Sequence, residues 1–120
     1  MRRIVPALGV VVLLAGMAAP AMAETKTVRG EVVDSVCFMK NSANRGEAHA
    51  NCTMSCAKKG GQMAIAAADG VYLISGAYAE NNNAKLIEFV TKNVDATGEV
   101  TDAGGHKHIA VSSMKAAPAQ

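Results

Sequence analysis

Asp69-Gly70 between two apolar runs is the strongest constraint on how this chain can fold. An Asp-Gly pair accepts the positive backbone angles of a two-residue turn, so Gln62 to Ala68 and Val71 to Gly76 must return on each other as paired strands. A second hairpin is expected further on, where Val94 to Thr101 and His106 to Met114 flank Asp102-Ala103-Gly104-Gly105. Upstream, Thr25 to Phe38 reads as a strand, with Val28, Val32 and Val36 on one face and Arg29, Glu31 and Ser35 on the other. Strict alternation also puts Cys37 on that second face, so whatever follows the strand must cover it. Five strands therefore dominate the chain.

Two helices are expected between them. Lys40 to Gly46 is polar and reads as a loop; Glu47 to Lys59 has no Gly or Pro and stops at Gly60-Gly61, with Lys58 and Lys59 favourably placed for the helix dipole. Asn81 to Asn83 can cap a second helix, Ala84 to Lys92, in which Leu86, Ile87 and Val90 share a face. Strand, inserted helix, two strands, helix, two strands is the order of a small five-stranded OB-like barrel.

The residues ahead of the first strand read as a cleavable secretory signal over 1–23. Arg2 and Arg3 provide the basic start, Ile4 to Gly16 the apolar segment, and Ala21-Met22-Ala23 the small-residue cleavage site. The apolar segment is shorter than the roughly 20 residues that span a bilayer. Leu14-Ala15-Gly16 is followed by Met17 rather than by a lipid-bearing cysteine. Export to the periplasm, or secretion, without a retained membrane anchor is the expectation. The OB-like domain then covers 24–114, and 115–120 is a polar, Pro-containing, flexible tail.

Cleavage also removes two of the twelve basic residues and none of the ten acidic ones, leaving a near-neutral domain. A nucleic-acid partner would need clustered basic residues and stacking aromatics. Only Phe38, Tyr72, Tyr78 and Phe89 are aromatic, so nucleic acid is excluded as an expected partner. A domain this small gains from a metal or disulfide staple.

One constellation suggests chemistry: Cys37, His49, Cys52 and Cys56. On a continuous helix, positions i, i+3 and i+7 fall within an arc of roughly sixty degrees, so His49, Cys52 and Cys56 would line one face. Cys37, arriving from the first strand, could close a fourth corner. Three thiolates and an imidazole form a tetrahedral set for zinc and also suit copper(I). In donor type the set resembles a class of periplasmic copper chaperones, whose thioredoxin-like pattern is not present here. The alternatives stay open. Exported proteins meet an oxidising compartment, so Cys37 paired with Cys52 or Cys56 would make a disulfide and leave a spare thiol. Such a cross-linked module could bind a small ligand or an envelope protein. Thiol redox function is the third reading.

Other candidates are weaker. Met39, Met54 and Met63 flank the cysteines and could favour copper(I), but methionine commonly fills cores. His106 and His108 share a strand face without convergent partners. Asp34, Glu31 and Glu47 are the nearest carboxylates, and surface charge or capping accounts for them. With no phosphate loop and no Ser-His-Asp pattern, nothing argues positively for an enzyme.

Several segments together are similar to small exported bacterial OB-like proteins. These are Val28-Arg29-Gly30-Glu31-Val32-Val33-Asp34 leading to Cys37, His49 to Cys56 running into Ala57-Lys58-Lys59-Gly60, Asp69-Gly70-Val71-Tyr72-Leu73, and Val94 to Val100 with Thr97-Gly98-Glu99. The resemblance spans nearly all of the exported portion and implies the barrel. It implies no activity.

Overall fold

The computed structural model describes residues 23–118, so all of the expected secretory signal except Ala23 lies outside the described residues. Five strands form a closed barrel: β1 (Glu24–Asp34), β2 (Met63–Ala67), β3 (Gly70–Ser75), β4 (Asn93–Ala103) and β5 (His106–Ala116). Their order around the barrel is β1-β2-β3-β5-β4, with β4 returning to β1. All neighbours are antiparallel except β3 and β5, which run parallel from Tyr72↔Lys107 to Ser75↔Ala110 and close the wall. This is the expected five-stranded OB-like barrel. Strand β5 continues past Met114, pairing Lys115 with Asp95 and Ala116 with Val94.

The barrel interior follows the alternation. Val28 and Val32 of β1 point inward with Met63, Ile65, Tyr72, Ile74, Val94, Ala96, Ile109 and Val111. Closure requires a corner, and Gly98 makes one. The β4–β5 register shifts between Thr97 and Gly98, where a Cβ on Gly98 would collide with the Ala110 carbonyl.

A second apolar group, Val33, Ala64 and Ala66, lies outside the main core yet is buried, with Phe38 packed on it. The insertion after β1 therefore covers the outer wall, as the position of Cys37 demanded. It does so by ending the strand early. Asp34 is a helix cap, its Oδ1 accepting from the amides of Val36 (2.9 Å) and Cys37 (3.3 Å), and helix α1 (Ser35–Lys40) begins where the sequence pattern continued as strand. Val36 consequently leaves the barrel face and is exposed.

The second expected helix, Ala84 to Lys92, does not form as a regular helix. The β3–β4 connection is instead a 3₁₀ turn (Gly76–Ala79), a kinked segment (Glu80–Asn83) and another 3₁₀ turn (Ile87–Phe89). Asn81, Asn82 and Asn83 all adopt left-handed backbone angles, which asparagine tolerates better than most residues. Asn83 then spends its side-chain amide on tertiary bonds, donating to the carbonyls of Ala57 and Gly61, each at 2.9 Å. Leu86 from this connection and Ala57 from the insertion are both fully buried against the core at the same end of the barrel.

Candidate functional site

The site is built in the β1–β2 insertion. After α1 the chain passes through a loop to a 3₁₀ turn (Glu47–His49) and helix α2 (Ala50–Lys58). Glu31, a nearly buried carboxylate of β1, anchors the loop by accepting from the Gly46 amide at 2.8 Å and pairing with Arg45 at 3.4 Å. The guanidinium of Arg45 also sits 5.7 Å from the centre of the Phe38 ring. The Cys37 carbonyl accepts from the Asn41 amide (3.1 Å) and the Asn44 side chain (3.0 Å), which fixes α1 against the loop. Buried Thr53 donates to the His49 carbonyl at 3.0 Å. These bonds position the two ends of the insertion before any ligand is considered.

Cys37, His49 and Cys52 converge. Each offers one ligand atom, and those three atoms lie within 4.8 Å of one another. The continuous helix expected over Glu47 to Lys59 is interrupted at His49, whose backbone (φ −112°, ψ 6°) precedes α2 rather than belonging to it. His49, Cys52 and Cys56 therefore do not share the single helical face that their spacing suggested. Cys37 on α1 meets the first turn of α2, at His49 and Cys52, while Cys56 lies one turn further on and outside the group of three.

The end of α2 is locked by a Schellman arrangement. The Gly61 amide donates to the Cys56 carbonyl (2.9 Å) and the Gly60 amide to Ala57 (3.0 Å), with Gly60 at φ +81°. A hydrogen bond to the Asp34 carboxylate, followed by burial and the charge of Asp34, pushes the Cys56 thiol up to about 11 from its ordinary 9.0. Cys37 is also raised, first by desolvation and then by Asp34 and Cys52, with Lys40 opposing.

Two observations bear on a metal. The donor set is two sulfurs and an imidazole, the chemistry that zinc and copper(I) both accept. The Nε2 atom of His49 is buried without a hydrogen-bond partner, alone in this among the described side chains, and an orphaned buried ring nitrogen costs free energy unless something binds it. The residues fit a metal ion. All three cysteines are free thiols, and no disulfide is formed.

The remaining candidates separate clearly. Met63 is buried in the core and Met54 packs against it, whereas Met39 is exposed. His106 is exposed, and a ring nitrogen of His108 lies 3.3 Å from the Ala103 carbonyl. The sequence reading accounted for Asp34 by surface charge or capping; it caps α1, and its effect on Cys56 was missed. An acidic residue three positions before Cys37 was the available signal. Among the described residues no helix is long and apolar enough to cross a membrane. Compared with known proteins, the chain matches no family model, no curated protein and no solved structure.

Proposed function

We propose that this is an exported metal-binding domain that holds zinc or copper(I) between Cys37, His49 and Cys52, as a structural staple or for metal handling. The observation that carries the reading is the convergence of these three ligand atoms within 4.8 Å, reinforced by the unpartnered Nε2 of His49. A tetrahedral ion takes four donors. Cys56, the fourth expected from the sequence, stands nearby as one source of the last. Export to the periplasm is supported by Arg2, Arg3, the apolar run Ile4 to Gly16 and the Ala21-Met22-Ala23 site, together with the resemblance to exported OB-like proteins.

Native and denaturing mass spectrometry of the periplasmically expressed protein tests this directly. The expected result is one bound metal, with all three thiols open to alkylation once it is removed. A stable internal disulfide without metal would instead establish the cross-linked binding module. That second reading draws on the same geometry, since the sulfurs of Cys37 and Cys52 lie within 4.8 Å of each other.

A further inference from the structure

Cys37 and Cys52 differ in a way that metal binding alone does not require. Cys52 is exposed, whereas Cys37 and Cys56 are half-buried. The one exposed sulfur of the three thus stands within 4.8 Å of a less accessible one, with a ligand nitrogen of His49 completing the group. An accessible thiol beside a second thiol is the arrangement of redox-responsive cysteines, in which the first meets an oxidant and the second resolves the product.

The two sulfurs come from separate segments. Cys37 lies on α1, where its amide donates to the Asp34 cap and its carbonyl accepts from Asn41 and Asn44. Cys52 lies in the first turn of α2, after the break at His49. A disulfide brings its sulfurs to about 2.05 Å, and the exposed Cys52 is the side chain with room to turn. Both sulfurs also belong to the three atoms proposed to hold the metal. One bond between them removes two of those three donors, because the metal ligand is the thiolate and not the disulfide.

Resting on the metal-binding reading, we propose that Cys52 exchanges with small external disulfides and Cys37 resolves the product, so that oxidation of the pair expels the metal and reduction readmits it. In the first step the Cys52 thiolate attacks one sulfur of the external disulfide, a mixed disulfide forms and one thiolate leaves. In the second the Cys37 thiolate attacks the Cys52 sulfur, the Cys37–Cys52 bond forms and the other thiolate leaves. Two electrons pass from the cysteine pair to the external disulfide. The metal departs with its charge unchanged, and the released thiolates take protons from solvent. Metal-bound and cross-linked chains are then two redox states of one site, and the proposed export sets that site in a compartment where disulfides persist.

The experiment treats the full chain, reduced and loaded with zinc, with oxidised glutathione while a chromophoric chelator reads free zinc. Zinc should be released in step with the loss of two thiols, and peptide mapping should find Cys37 joined to Cys52. Reduction with a phosphine should restore zinc binding, and reduced glutathione at the same concentration should release none. In the metal-free chain, Cys37→Ser should stop at a glutathione adduct on Cys52. Cys52→Ser should react at least about tenfold more slowly, because the exposed thiol is gone. Cys56→Ser should still form the Cys37–Cys52 bond. Zinc that stays bound, release by reduced glutathione, or a bridge to Cys56 in place of the Cys37–Cys52 bond would overturn the proposal while metal binding stands. A reduced chain that takes up no zinc would overturn both.

Discussion

The two ends of the barrel each carry a cavity, and they differ in one respect: beside the insertion end, among the described residues, lies a buried polar atom without a partner. At the hairpin end a space of about 290 Å³ is bordered by Lys26, Arg29, Asp69 and Tyr72. Its polar groups are paired with each other or with near neighbours. The Tyr72 hydroxyl donates to Asp69 at 2.7 Å, and Lys107 lies 3.8 Å from the same carboxylate and 5.1 Å from the Tyr72 ring centre. Arg29 grips Asp95 through two bonds of 2.7 and 2.9 Å. At the insertion end the cavity adjoins two thiols, and the cluster behind it contains a buried imidazole nitrogen with no partner. Groups that satisfy one another have little to gain from a ligand. Cavity size barely distinguishes the two ends, whereas the state of their donors does.

The largest test of this contrast is removal of a converging ligand. Cys52→Ala or Cys37→Ala should weaken metal affinity by at least about 100-fold, since structural zinc contributes about 10–16 kcal/mol shared among its ligands. Competition with a chromophoric chelator measures the change. Cys56→Ser should cost less, at most about 10–100-fold, as for groups that support a ligand set from outside, and Tyr72→Phe at the far end should leave affinity untouched. Equal losses from Cys56 and Cys52 variants would return Cys56 to the ligand set.

Metal removal comes next. An ion present at a thousand times its dissociation constant adds about 4 kcal/mol to stability. A small domain gains roughly 4–8 °C in melting temperature per kcal/mol, so chelation should lower the transition by more than about 15 °C. A purely disulfide-linked module would not respond to the chelator at all.

The barrel was legible in the sequence because its signals are local and reinforce one another: alternation along β1, Asp69-Gly70, and the Gly104-Gly105 turn. The two departures have a common physical origin, in polar side chains whose partners lie elsewhere in the fold or compete with the strand. Asp34 ends β1 by capping α1, although its neighbours still alternate. Asn83 is drawn away from a simple helix cap by Ala57 and Gly61, some 22–26 residues earlier in the chain. No window of sequence contains both partners. The candidate site was legible in its residue types but less so in its grouping. Helical spacing placed His49 with Cys52 and Cys56, while the break at His49 and the early end of β1 bring Cys37 to the first turn of α2 instead.

At the hairpin end, Tyr72→Phe should cost about 1 kcal/mol, one hydrogen bond to a carboxylate that is itself largely exposed. Calorimetry of the metal-free protein reads this as a fall of several degrees. The two ends should also separate under alkali. Cys56 is raised from 9.0 to about 11 and Tyr72 from 10.0 to about 12, so the folded protein retains protons that the unfolded chain has released. Both contributions are complete below the unfolded values and are lost as pH rises through the folded ones. Metal-free stability should therefore decline from about pH 9 upward, as measured by urea titrations at stepped pH. Cys56→Ser should flatten the early part of that decline and Tyr72→Phe the later part.

The smallest expected effect belongs to Arg29 and Asp95, whose geometry is the best of any ion pair at that end. Arg29 is about half exposed, and water screens what the two short bonds gain. The guanidinium nevertheless holds the Asp95 carboxyl below its ordinary value of 3.8. The sign follows from that depression: the contribution is present above the unfolded value and disappears as pH falls through the folded one. Arg29→Ala should therefore shift the melting temperature less than Tyr72→Phe at neutral pH, lose even that difference in strong acid, and shrink further as salt is added. A salt-independent loss larger than that of Tyr72→Phe would show that the pair closes the β1–β4 seam of the barrel, where Arg29 stands opposite Asp95, rather than decorating its surface.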